Sequence, residues 1–340
     1  MTWTRLIRFF DEEDRLCYGE PQIEQANDLP RLLTEGNLLA RELIGDSPFS
    51  STPSNNLLRV KRLVGPLSTK DVPIIRCVGL NYGEHIKETG RSVPPYPSIF
   101  IKPSRAVAGW NDDVAIPSIA QKNQLDYEGE LAIVIGKEGK NISLEESLEY
   151  VAGYTIANDV SARTWQRDPA FAGNTPQWCF SKGFDGWAPL GPMIVSPKLI
   201  GAADNLDLQT KVNGEMRQKA NTSDLVFGVR RIVAFDERKE SLAPHLFSLK
   251  TTVPEDVRPK GDKIMMSNLI SSKARAIQVF TTNPKFNFLR PEPTLVKARQ
   301  LARRSRFPAV SCNAKSYLML HLRRRSQTIL VYILGFIISV

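Results

Sequence analysis

Apolar stretches of five to nine residues recur through the first 235 positions, and none is long enough for a helix of ordinary length. Val72–Leu80, Ser98–Lys102, Glu130–Ile135, Val151–Ala157 and Leu206–Val212 each run into a Gly, a Pro or a polar turn, and read as strands. Asn213–Gly214 after the last of them is a hairpin turn. Trp3–Pro21 reads as a further hairpin with an acidic turn at Asp11–Asp14. Helical signals are few. They are Asn81–Gly90, then Ile142–Tyr150 with Ser143 and Glu146 as a capping box, then Asp224–Phe235 with Leu225, Val229, Ile232 and Val233 on one side. Many short strands without βαβ alternation predict a β-rich α+β fold. The predicted divisions are a small N-terminal domain over 1–68, a catalytic domain over 69–263 and an irregular basic tail over 264–340.

The net charge of +9 belongs to that tail. Asp236 to Val340 holds 19 Lys and Arg against 7 Asp and Glu, whereas residues 1–235 hold 26 against 29. A basic tail attracts polyanions, but this one has no RNP-type aromatics, zinc ligands or heptad zipper, so nucleic acid is not expected as a partner. The closing apolar run, Thr328–Val340, has 13 residues. A bilayer needs about 20, so no membrane span is expected. Four scattered cysteines without a CxxC pair exclude a disulfide scaffold and a Cys-based zinc site. With no apolar leader at the start, they point to a cytoplasmic or mitochondrial location.

The chemistry concentrates in a few short segments. In Asp126-Tyr127-Glu128-Gly129-Glu130, the two glutamates are two apart, so a continuous strand puts both on one face. Such a pair is either a solvated strand end or a site for a proton or a hard cation such as Mg2+, and the apolar continuation at Ala132 and Val134 favours an interior face. Asp159 follows an apolar strand, where it is either a turn former or a third ligand. Arg163 and Gln166 nearby offer a guanidinium fork and a neutral donor. His85 and Glu88, three apart on a helix, form either a surface pair or a water-activating dyad. Lys102 and Lys182 adjoin apolar residues and either polarise a substrate oxygen or snorkel to the surface.

Taken in order, CVGLNYGEHIKETG, PSIFIKP, LDYEGELAIVIG, GYTIANDVSARTWQ, FSKGFDGWAPLGP and NGEMRQ resemble the fumarylacetoacetate hydrolase family. The likeness is to its smaller members: acylpyruvate hydrolases, oxaloacetate decarboxylases and oxaloacetate tautomerases. It implies a mixed β-roll catalytic domain, a homodimer, and Mg2+ or Mn2+ held by Glu128, Glu130 and Asp159. It also implies His85 and Glu88 as a catalytic lid dyad with Lys182, and Arg163, Gln166 and Lys102 against the substrate. The pattern stops at Phe235, because the family's Thr-Gly-Thr-Pro and Gly-Val-Gly segments and closing strands have no counterpart in residues 236–340.

The function expected is metal-dependent hydrolytic C–C cleavage of a small 2-oxo or 1,3-dicarbonyl acid, such as an acylpyruvate. The alternatives are keto–enol tautomerisation or decarboxylation of oxaloacetate, and a catalytically impaired member that lacks the closing loop.

Overall fold

The computed structural model describes residues 1–236, together with strands at Leu246–Leu249, Ser267–Ser271, Ala276–Thr281, Leu322–Arg324 and Gln327–Ile329. The expectations for the rest of the tail fall outside the described residues.

At the centre, Gly129–Ile135 pairs antiparallel with Val151–Asn158 in the register Leu131↔Ile156 and Ile133↔Tyr154. Every residue of both strands is buried, which explains why they are continuously apolar rather than alternating. Leu131, Ile133 and Ile135 pack with Tyr154 and Ile156 on one face, and Ala132 and Val134 pack with Cys77 and Phe100 on the other. Burying each large aliphatic side chain contributes about 1.5–3 kcal/mol. Strand alternation puts Glu130 at the head of the Ala132–Val134 face.

Ile74–Gly79 pairs antiparallel with Ser98–Pro103 in the register Ile75↔Lys102 and Cys77↔Phe100. Leu246–Leu249 lies between Ile74–Gly79, to which it is parallel, and Gly129–Ile135, to which it is antiparallel. Ala276–Thr281 runs parallel to Asp207–Val212 and pairs with Ser267–Ser271. Leu246–Leu249 thus lies within the catalytic domain expected over 69–263. The apolar segment Leu246-Phe247-Ser248-Leu249 is a strand within the charged stretch that masks it in composition.

The N-terminal hairpin forms as expected, with Phe10 opposite Leu16 and Asp11 Oδ1 accepting the backbone N–H of Glu13 and Arg15 at 3.0 and 2.8 Å. Its first strand also pairs with Ile194–Val195, so the N-terminal strands extend the main sheet. The Asp207–Asn221 hairpin turns on Asn213 and Gly214, whose φ values of +52° and +86° are those of the predicted turn.

The three predicted helices are all shorter than expected, that of Asn81–Gly90 spanning Gly83–Glu88. Ser143 Oγ accepts Glu146 N–H at 3.2 Å and donates to Glu146 Oε2 at 3.1 Å, yet only the 3₁₀ turn Ser147–Glu149 follows before the chain enters a strand. The helix expected from Asp224 begins at Val229. Asn81 explains the delay. Its backbone oxygen accepts Val226 N–H, and its side chain accepts Phe227 N–H and donates to Phe227 O, at 2.9, 2.9 and 3.1 Å. Tertiary bonds hold that stretch extended.

Candidate active site

The side chain of Lys182, the last residue of the helix Trp178–Lys182, is wholly buried. Its ammonium donates to Glu128 Oε2 and Asp159 Oδ2, each at 2.7 Å, and to Ser161 Oγ. Burial opposes that charge, but the Asp159 and Glu128 carboxylates outweigh it and hold the ammonium above the usual lysine range. Lys102, on the inner face of Ser98–Pro103, donates to Asp159 Oδ1 at 2.6 Å and to the carbonyls of Val160 and Trp187 at 3.2 and 2.5 Å. Burial moves it below the usual range despite Asp159.

Arg163 opens the helix Arg163–Arg167. Its Nε donates to Asp126 Oδ2 and its Nη2 to Glu128 Oε1, both at 2.6 Å, and its Nη1 donates to Gln166 Oε1 at 2.8 Å. Glu128, Asp159, Lys102, Lys182, Arg163 and Gln166, each a separate candidate in the sequence, thus meet in one hydrogen-bonded cluster. All three ammonium protons of Lys102 go to protein oxygens, and every nitrogen of the Arg163 fork is engaged by a side chain.

Glu128 and Glu130 do not share one continuous strand. Tyr127 and Glu128 form a break between Leu125–Asp126 and Gly129–Ile135. The break is pinned from both sides. Asn158 Oδ1 accepts Glu128 N–H at 3.2 Å, and Gln218 pairs with both backbone groups of Gly129, accepting its N–H at 3.0 Å and donating to its carbonyl at 2.9 Å. Glu130 is fully buried, and its charge joins burial in pushing the Tyr82 hydroxyl well above the usual tyrosine range. Tyr82 directly precedes the helix Gly83–Glu88.

That helix carries the dyad. His85 Nδ1 stands 3.5 Å from Glu88 Oε2, a long hydrogen bond, with the two side chains 16% and 62% exposed. Because a carboxylate only accepts, a neutral imidazole makes this contact with its proton on Nδ1.

Among the described residues, no three His, Cys, Asp or Glu side chains are gathered as a ready metal-binding group, and the cation between Glu128 and Asp159 is the Lys182 ammonium. The donor set still fits a hard divalent ion. Asp126, Glu128, Glu130 and Asp159 are all buried and offer the carboxylate oxygens that such an ion takes.

Asp126, Asn158, Ser161 and Gln218 belong to this cluster, although sequence reasoning gives them no role. Asp126 alone has a visible signal, two positions before Glu128 in a strand-like stretch.

Residues 74–245 match the family model described as fumarylacetoacetate (FAA) hydrolase C-terminal, and the chain belongs to that family. The family match therefore extends ten residues beyond Phe235. Caffeoylpyruvate hydrolase from Neonothopanus nambi is 36% identical over 264 residues, which cover 75% of this chain and 83% of the relative. A mitochondrial oxaloacetate tautomerase from Xenopus laevis is 38% identical over 192 residues, 56% of this chain and 58% of the relative's length. The crystal structure of a 2-hydroxyhepta-2,4-diene-1,7-dioate isomerase from Mycobacterium marinum superposes with a TM-score of 0.64 at 29% identity, covering 83% of this chain and 98% of that one. The protein is a fumarylacetoacetate hydrolase-family enzyme, similar to relatives named as a hydrolase and as a tautomerase.

Proposed function

We propose that this protein is a metal-dependent hydrolase that cleaves the C–C bond of an acylpyruvate-like 2-oxo acid. The observation that supports the reading is that Glu128, Glu130 and Asp159, carboxylates of the kind a hard cation takes, are all buried within the family-matched region. Those three residues would hold Mg2+ or Mn2+, which when bound supplies positive charge to the keto and carboxylate oxygens of the substrate.

His85 Nε2 takes a proton from water, and the oxygen bonds to the distal carbonyl carbon. When the C–C bond breaks, its electron pair stays on the pyruvate methylene carbon. The proton held at His85 Nε2 returns there, so an acid and a 2-oxo acid leave. Glu88 holds the imidazole in the required tautomer. Lys182 keeps positive charge beside the reacting oxygens. The amide of Gln166 offers donors to the substrate, because its oxygen is already bound to Arg163.

The similarity to oxaloacetate tautomerases favours a second reading, in which the same dyad only moves a proton between carbon and oxygen of oxaloacetate. Incubation with Mg2+ and either an acylpyruvate or oxaloacetate, with enol absorbance and product analysis as readouts, separates the two. Release of a free acid from the acylpyruvate supports hydrolysis, and enol loss from oxaloacetate without cleavage supports tautomerisation. No change in either substrate overturns both and leaves the reading of an impaired family member.

The proposal includes a homodimer in the cytoplasm or the mitochondrion, the latter being where the tautomerase is named. Light scattering at twice the chain mass is the expected result for the dimer. Among the described residues, no helix is long and apolar enough to cross a membrane.

A further inference from the structure

We infer that Asp126 is a positioning residue: acting through Arg163, it sets the orientation of both the Glu128 carboxylate and the Gln166 amide. The inference rests on the proposed function in taking Glu128 as a metal ligand and Gln166 as a substrate contact.

Asp126 is anchored before it touches Arg163. It closes the two-residue strand Leu125–Asp126, which pairs with Ser161–Ala162, and its Oδ1 accepts the N–H of Tyr127 at 2.9 Å. Its Oδ2 accepts Arg163 Nε–H at 2.6 Å, and its side chain is 0% exposed. Arg163 is anchored to the same ribbon, since its backbone N–H bonds Gln124 O at 2.7 Å.

The guanidinium is rigid and planar, so fixing its Nε edge fixes the directions of both terminal nitrogens. One of them points to Glu128 Oε1 at 2.6 Å and the other to Gln166 Oε1 at 2.8 Å. The first bond turns Glu128 so that its other oxygen faces Lys182, at 2.7 Å. The second decides which way the Gln166 amide faces. A guanidinium has no acceptor, so the amide oxygen must lie towards it and the NH2 group away from it. One carboxylate outside the ligand set thereby fixes a ligand and a substrate donor together. Without the Asp126 charge, the Nε edge of Arg163 loses its anchor and only the bonds of its terminal nitrogens to Glu128 and Gln166 orient it.

The test uses the full chain, with D126N, R163K and the double variant. Lysine keeps the charge but loses the fork. Each is titrated with Mn2+ alone, monitored by the electron paramagnetic resonance of the free ion, and each is assayed for kcat and KM with the better substrate. The expected result is that D126N weakens Mn2+ binding by about 10–100-fold and raises KM, as loss of a group orienting a ligand does. The double variant is expected to be no worse than R163K, because Asp126 acts through Arg163. A purely structural Asp126 would lower the melting temperature and leave Mn2+ affinity and KM at wild-type values, which overturns the inference. Additive losses in the double variant overturn it as well. Should D126N not fold, R163K alone decides, and unchanged Mn2+ affinity and KM in it overturn the relay. A wild-type chain that takes up no Mn2+ removes the metal reading, and the cycle in kcat/KM then decides the role of Asp126 by itself.

Discussion

Lys102 Nζ lies 2.6 Å from Asp159 Oδ1, and the two side chains are 1% and 2% exposed. The lysine is inside the protein as a cross-link between strands, and its other two protons go to the Val160 and Trp187 carbonyls. Lys102→Met keeps the stem but leaves those oxygens buried without their donor. Breaking a buried ion pair from one side costs about 3–5 kcal/mol, and urea denaturation is expected to show a loss of that order. A loss under about 1 kcal/mol would mean that the pair contributes little to the fold.

Gly79 ends the strand Ile74–Gly79 where the chain passes Trp178. A Cβ there would collide with the indole, and Trp178 packs edge-to-face on Phe100 at 5.3 Å, so it has little room to yield. Trp178 begins the helix that ends at Lys182. Gly79→Ala is therefore expected to cost about 1–3 kcal/mol through overpacking and to lower kcat by shifting Lys182. Thermal melts and kinetics check both parts, and wild-type values for each would show that the close approach is not needed.

The dyad is separable from the carboxylate cluster in the chain, so its loss should be separable in function. His85→Ala is expected to lower hydrolysis by about 10²–10⁴-fold, the range for general acid–base groups, with Mn2+ affinity nearly unchanged. Glu88→Ala should act in the same direction through the imidazole it orients. A parallel collapse of metal binding would give the pair a structural role instead.

Two cysteines, Cys77 and Cys179, differ sharply in setting. Cys179 is exposed, whereas Cys77 is buried, and burial together with the nearby Asp159 charge pushes its thiol well above the usual range. Peptide mapping after brief treatment with a maleimide at neutral pH should find Cys179 labelled and Cys77 unlabelled until the protein is denatured. Rapid labelling of native Cys77 would show that the face holding Glu130, Ala132 and Val134 opens readily.

The elements readable in the sequence are those settled by neighbours in the chain. Leu131–Ile135, Val151–Asn158 and the Asn213–Gly214 hairpin come from apolar runs and a turn that needs positive φ. What the sequence hides depends on partners far along the chain. Asn81 bonds to Val226 and Phe227 and so delays a helix that the pattern alone starts at Asp224. Glu128 looks like a strand residue, yet Asn158 and Gln218 hold it in a break. In the site, residue types were legible and allegiances were not. Arg163 and Lys102 are legible as cations in the motif. Only the fold shows that Asp126, Glu128, Asp159 and two carbonyls already engage them.

The central claim is that Glu128, Glu130 and Asp159 surround one hard divalent cation. Anomalous diffraction from crystals grown with Mn2+ tests it most directly. The account predicts a single strong anomalous peak with oxygens of all three carboxylates at about 2.0–2.6 Å, absent from crystals of Glu130→Gln. Wild-type crystals that show no peak there, with Lys182 still seated between Glu128 and Asp159, would contradict it.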